Sequence, residues 1–215
     1  MKKVAVILSG SGFKDGSEIT EAISSLINLS QLGVNYQCFA PDMAFTSIDH
    51  LNDRDGETRN VLTECARISR GDCKDLKTLK AEDFDALVFP GGYGAAKHLS
   101  DWALKGSACT VNPDVEKAVQ NFFKSGKPIG AICIAPVIIA KVLGKNKISL
   151  TIGDDKETVA EIKKTGAVHE NCPVTEYISD REHKILTTPA YMYNAKPHQV
   201  FLGISKMLKE LVEMA

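Results

Sequence analysis

Lys127-Pro128-Ile129-Gly130-Ala131-Ile132-Cys133-Ile134-Ala135-Pro136-Val137-Ile138 holds two apolar runs with one cysteine at their junction. The first run reads as a buried strand and the second as a helix. A sharp strand-to-helix turn lifts its central residue above the sheet edge. The new helix then offers that residue unpaired N–H groups and the positive end of its dipole. A thiol placed there loses its proton more easily than a free one, and the thiolate is the nucleophile. The competing reading makes Cys133 small apolar filler, because free cysteine is among the most buried residue types.

The flanking sequence repeats the alternation. Val4-Ala5-Val6-Ile7-Leu8 is a β-branched run ending in Ser9-Gly10-Ser11-Gly12, a buried first strand and a tight loop. Ser17 to Leu32 carries Ile19, Ala22, Ile23, Leu26, Ile27 and Leu29 at helical spacing, closed by Gly33. Val34 to Ala40 is a second strand and Phe84 to Phe89 a third, the latter running into Pro90-Gly91-Gly92-Tyr93-Gly94. Helices are expected over Glu57 to Ser69, Asp114 to Lys124, Lys156 to Lys164 and Gln199 to Met214. A short strand is expected over Ile148 to Ile152, and a hairpin from Val174 to Ser179 and Lys184 to Thr188. Strands alternating with helices imply an α/β fold, a mostly parallel sheet with helices on both faces. Ligands in such sheets bind beyond the carboxyl ends of the strands, where the loops 9–18, 90–98 and 133–136 lie. We expect one domain over 1–215, with an insertion at about 42–80 beside the active edge or at a subunit contact.

Composition narrows the function. The 26 basic and 27 acidic residues of 215 leave a formal net charge of -1, and aromatics are 7%. Neither supports a nucleic-acid surface. No apolar run reaches the roughly 18 residues that span a bilayer. The six cysteines (38, 65, 73, 109, 133 and 172) contain no CxxC pair, and the histidines form no HxxxH or HExxH pair, so no metal is expected. A core-rich chain with reduced cysteines points to the cytoplasm or an organelle matrix, and we expect a cytoplasmic protein.

Other residues join Cys133 at the same sheet edge. Glu18 starts the first helix. It reads either as the N3 member of a capping box with Asp15 or as a carboxylate over the sheet edge facing Cys133, where it would move protons. Gly91 and Gly92 let backbone N–H groups approach a ligand oxygen as an oxyanion hole requires, or simply form a turn with positive φ. The loop Gly10 to Gly16 has GxGxxxG spacing, not GxGxxG, and its acids oppose a pyrophosphate, which argues against a dinucleotide. His98 is the one histidine placed near that edge. Tyr191 either lines the pocket or packs in the core, and Cys109 either approaches the pocket or is buried.

Jointly, Val6 to Gly10, Asp15 to Ile19, Glu57 to Leu62, Pro90 to Lys97, Cys133 to Pro136 and Thr187 to Met192 resemble the ThiJ/PfpI superfamily, which is related to the class I glutamine amidotransferase fold. Within it the chain resembles the ElbB type of isoprenoid-biosynthesis glyoxalase-like proteins. The resemblance implies a flavodoxin-like three-layer sandwich, a homodimer, and Cys133 as nucleophile with Glu18 as its carboxylate neighbour. It also implies that the Gly92 and Ile134 N–H groups form the oxyanion hole. Superfamily members often carry a histidine beside the cysteine or about twenty residues beyond it. Here those places hold Ile134 and Leu150 to Asp154, which argues against a full triad. The leading expectation is a cofactor-independent glyoxalase-type lyase acting on small reactive dicarbonyls such as methylglyoxal through a cysteine hemithioacetal. The alternatives are a nearly inactive cysteine oxidation sensor or binding protein linked to isoprenoid metabolism, and a cysteine hydrolase of amides or esters.

Overall fold

The computed structural model describes residues 1–215. In chain order the first half forms β1 (Lys3–Ile7), α1 (Ile19–Gln31), β2 (Asn35–Ala40), β3 (Ala44–Asp49), β4 (Arg54–Asn60), α2 (Val61–Ile68), β5 (Cys73–Asp75), β6 (Ala86–Phe89), α3 (Tyr93–Lys97) and α4 (Trp102–Lys105). The second half forms α5 (Pro113–Lys124), β7 (Ile129–Ile132), α6 (Pro136–Leu143), β8 (Ser149–Leu150), α7 (Lys156–Lys164), β9 (Val168–His169), β10 (Ile178–Asp180), β11 (Ile185–Thr188) and α8 (Pro197–Met214).

Seven strands share one sheet in the order β10-β11-β7-β6-β1-β2-β5. Every pairing is parallel except the edge pair β10–β11, a hairpin where one was expected, its first strand shortened to Ile178–Asp180 from the expected Val174 to Ser179. Side chains alternate across this sheet and feed two cores. Ala5, Ile7, Leu87, Phe89, Ile129 and Ala131 pack under α5 and α6, whereas Val4, Val6, Ala86, Val88 and Leu186 pack under α1 and α8. Burial on both faces explains the near-continuous apolar runs of these strands. The result is the flavodoxin-like sandwich.

Three local readings are revised. Residues 57–60 extend β4 rather than open a helix, because Asn60 caps α2, its side chain accepting from the Thr63 N–H at 3.0 Å. The segment 42–80 also contains the β3–β4 hairpin and edge strand β5, and the hairpin docks on the first loop through the Ile48 N–H to the Asp15 carboxylate at 2.6 Å. The short strand near 150 pairs in parallel with β9 in a sheet of its own, outside the main one.

Helix α1 turns a different side inward from the one its apolar spacing suggests. Ala22, Leu26 and Leu29 are buried as expected, but Ile19, Ile23 and Ile27 lie on the solvent side. Glu21, Ser24, Ser25 and Asn28 are buried in their place. Two of these satisfy themselves on the helix, Ser25 to the Glu21 carbonyl and Asn28 to the Ser24 carbonyl, both at 2.8 Å. Glu21 finds its partners elsewhere.

Phe122 of α5 is fully buried against the sheet. Phe122→Ala is expected to cost about 3–5 kcal/mol of unfolding free energy in a denaturant titration, with the denaturant slope unchanged.

Candidate active site

β7 ends at Ile132, and Cys133 then takes φ of 61°, a left-handed conformation uncommon for a residue with a side chain. Its N–H donates to the Thr188 carbonyl at 2.9 Å, and the Ala135 N–H closes the turn on the Ile132 carbonyl at 3.0 Å. Pro136 at the first turn of α6 suits a position with no N–H to satisfy. The turn lifts the Cys133 side chain to the carboxyl edge of the sheet. The backbone N–H groups of Gly92 and Ile134 lie on the side of the sulfur where they favour its thiolate.

The carboxylate against Cys133 is Glu21, not Glu18. Glu18 is the N-cap of α1, its Oε2 accepting from the Glu21 N–H at 2.8 Å. It is half-buried in the cavity lining, its carboxylate engaged at the helix start. Asp15 is not its capping-box partner, since the helix begins three residues later. One turn inside the helix, Cα–Cβ bonds tilt back toward the N-terminus. Glu21 therefore reaches the elbow, fully buried and beside Cys133, both of them crowding the same face of Gly91. Its Oε2 accepts from the Gly91 N–H at 3.0 Å and its Oε1 from the Tyr191 N–H at 3.3 Å. Loops after β6, β7 and β11 thus meet on one carboxyl group.

Gly91 is required here. A Cβ at that position would lie 2.5 Å from the Cys133 Cβ and 2.6 Å from Glu21 Oε2. Its carbonyl accepts from the Glu18 N–H at 2.9 Å, which fastens the start of α1 to the loop after β6.

The charges follow from burial. Glu21 is raised from its ordinary value of 4.5 to about 8, first by burial and next by the charge of Glu18. Burial also pushes the Cys133 thiol well above its usual range, with the Glu21 carboxylate next in effect. The Gly92 and Ile134 N–H groups work the other way and lose. The depressed thiol expected from the helix N-terminus is therefore corrected: desolvation outweighs the dipole. Near neutrality Glu21 is mainly a neutral carboxyl.

Three further sequence candidates fall elsewhere. His98 stands behind the glycine loop, its Nε2 2.9 Å from the Asp15 carbonyl and its ring against Phe45, and it does not line the pocket. Cys109 is buried in the core under α5 and α6. Tyr191 does line the pocket, and its backbone also holds Glu21. The cavity above Cys133 measures about 1340 Å³. Phe13, Tyr93, Trp102, Tyr191 and Tyr193 form aromatic walls. The charged lining is Glu18, Asp155, Glu157 and Glu161 against Lys105, and no histidine is present. The residue that spacing missed is Glu21. Its signal was a lone carboxylate on the stripe that also carries Ala22, Leu26 and Leu29.

Comparison with known proteins defines the class. The model of the DJ-1/PfpI family matches residues 2–167, and the chain belongs to that family. It is 44% identical over 224 residues to a human protein called glutamine amidotransferase-like class 1 domain-containing protein 3, mitochondrial, spanning 99% of this chain and 83% of that one. The crystal structure of an isoprenoid biosynthesis protein with an amidotransferase-like domain from Ehrlichia chaffeensis is 38% identical, with a TM-score of 0.91 over 99% of this chain and 100% of that one. Glyoxalase III from Candida albicans shares the fold alone, at 14% identity and a TM-score of 0.66 over 99% and 97% of the two chains. Relatives from rat and zebrafish, like the human one, are named mitochondrial, which overturns the cytoplasmic expectation. Free thiols specify only a reducing compartment, and an organelle matrix provides one as well as the cytoplasm does.

A neutral Glu21 in the fold makes a prediction about stability. Its pKa is higher folded than unfolded, so its contribution is complete below about pH 4.5 and is lost as pH rises toward about 8. The span is on the order of 5 kcal/mol. Denaturant titrations from pH 5 to 8.5 should show wild-type stability falling with pH, and Glu21→Gln should remove most of that slope.

Proposed function

We propose that this chain is a glutathione-independent, glyoxalase-type lyase that converts small dicarbonyls such as methylglyoxal to 2-hydroxy acids. The observation that carries the reading is the buried Cys133–Glu21 pair, with Cys133 and the neighbouring Gly92 and Ile134 in the lining of the cavity. The shared fold with a glyoxalase III adds support.

The chemistry assigns each group one task. The Cys133 sulfur adds to the aldehyde carbon, and the thiol proton passes by way of Glu21 to the carbonyl oxygen, giving a hemithioacetal. The Gly92 and Ile134 N–H groups stabilise the negative charge that builds on that oxygen. Glu21 as carboxylate then takes the proton from the former aldehyde carbon and returns it to the neighbouring carbon, while the hydroxyl proton passes from the first oxygen to the second through the enediol, leaving the thioester of the 2-hydroxy acid. Water cleaves the thioester, releasing lactate and the thiol. A carboxyl whose pKa lies near 8 can both give and take a proton near neutrality. Glu18 lines the cavity and acts through Glu21, since its charge helps set that pKa.

Turnover of methylglyoxal to lactate without added thiol is the test. Cys133→Ala should abolish it. Glu21→Gln should lower kcat by roughly 10²–10⁴-fold. Wild-type kcat should rise with pH up to about 8, where Glu21 ionises. Glu18→Gln should move that rise to lower pH with a smaller loss of rate. With four carboxylates against one lysine in the lining, the anionic glyoxylate should be the poorer substrate. Wild-type rates in Cys133→Ala would overturn the assignment.

A homodimer belongs to the same proposal. Ile19, Ile23 and Ile27 repeat every four residues and so align on the solvent face of α1, where a second copy would cover them. Sedimentation should give a dimer for the wild type and a monomer for Ile23→Glu, while a monomeric wild type would refute the pairing. The names of the relatives further suggest that this chain works in the mitochondrion.

A further inference from the structure

Three thiols outside the active site gather at the far end of the sheet. Cys38 of β2 and Cys73 of β5 are direct register partners in adjacent parallel strands. Cys65 lies on α2. The turn that ends α2 carries Arg70 and Gly71 at φ of 57° and 90°, and the Gly71 N–H bonds back to the Ala66 carbonyl. This reversal returns the chain alongside the helix, so that α2 lies against β5 and Cys73 packs against the core cluster that holds Cys65 and Cys38. All six cysteines are free, and the three thiols are not arranged to hold a metal ion.

The three differ in access. Cys38 and Cys65 are buried, whereas Cys73 is half-buried at the sheet's edge strand. Burial also pushes the Cys38 thiol up to about 12 and the Cys65 thiol well above its ordinary range. Cys73 is thus the thiol that an oxidant from solvent meets first.

Cys65 has a second attachment. Its Sγ accepts the Gly10 N–H at 2.9 Å and lies 3.6 Å from the Gly10 carbonyl. Gly10 opens the loop that leads into α1, which carries Glu18 and Glu21. The same loop is tied to the glycine turn after β6 by the Tyr93 N–H to the Phe13 carbonyl at 2.7 Å and the Gly94 N–H to the Gly16 carbonyl at 3.0 Å.

We propose that Cys65 and Cys73 form a peroxide-oxidisable dithiol whose closure to a disulfide releases Gly10 and loosens the loop that feeds the active-site helix. Cys73 sulfur attacks one peroxide oxygen and the O–O bond breaks. The thiol proton leaves with the displaced hydroxide as water, and Cys73 becomes a sulfenic acid. Cys65 sulfur then displaces the sulfenic oxygen, which departs with the Cys65 proton as a second water. Two thiols have lost two electrons and two protons, and one peroxide has become two waters. To reach a bond of about 2.05 Å, the Cys65 sulfur must turn toward Cys73 and give up the Gly10 N–H. The proposal does not depend on the lyase reading, because its readouts involve neither Cys133 nor turnover.

Trypsin separates the two cysteines into Asn60–Arg67 and Gly71–Lys74. The folded full-length protein is treated with one equivalent of hydrogen peroxide at neutral pH, alkylated, digested and weighed by mass spectrometry. The expected product is these two peptides joined, two hydrogens lighter than their sum and separated by dithiothreitol. In parallel, hydrogen exchange at the Gly10 amide should quicken at least tenfold on oxidation and recover on reduction. Cys73→Ser, a change at the half-buried position, should give no cross-link and no change in Gly10 exchange under peroxide. Recovery of both peptides as alkylated thiols, a Cys38–Cys73 cross-link instead, or unaltered Gly10 exchange in the cross-linked protein would each overturn the proposal.

Discussion

A carboxyl group sealed inside the protein is the constraint around which this molecule is arranged. Leaving a charge unsolvated in the interior is far costlier than holding a proton, so Glu21 keeps its proton near neutrality. Its two oxygens still need partners. They find them in the Gly91 and Tyr191 N–H groups, with Cys133 packed beside them, and the three residues come from three different strand ends. The same contacts that satisfy the acid therefore set the relative positions of the loops that make the site.

That arrangement explains the sequence around it. Gly91 cannot carry a side chain because Cys133 and Glu21 already occupy the space. Cys133 is held in a left-handed conformation by the backbone bond from its N–H to Thr188. Glu18, one turn earlier, both caps α1 and keeps a negative charge near Glu21. Two glutamates three residues apart thus divide the work: the half-buried outer one lines the cavity, and the inner one holds a proton beside the sulfur.

The parallel sheet, the elbow at Cys133 and the glycine turn at 91–92 were legible because burial on both faces and tight turns leave strong local marks. The hairpin β3–β4 left none: Arg54 to Asn60 is polar throughout, and what marks it as a strand is its ladder to β3. The choice between Glu18 and Glu21 was lost for a related reason. Ile19, Ile23 and Ile27 make as good a helical stripe as Ala22, Leu26 and Leu29, so apolar spacing alone could not orient α1. The structure turns the isoleucines outward and buries Glu21, Ser25 and Asn28. Desolvation, which raises the Cys133 thiol against the pull of the N–H groups, likewise depends on neighbours far away in the chain.

The central claim is that Glu21 holds a proton beside Cys133 at neutral pH. Carboxyl-carbon NMR of protein labelled at glutamate measures it directly. The Glu21 resonance should titrate near pH 8, well apart from the exposed glutamates, and its midpoint should shift when Cys133 is replaced by alanine. A Glu21 resonance that titrates with the exposed glutamates and is indifferent to Cys133 would contradict the account.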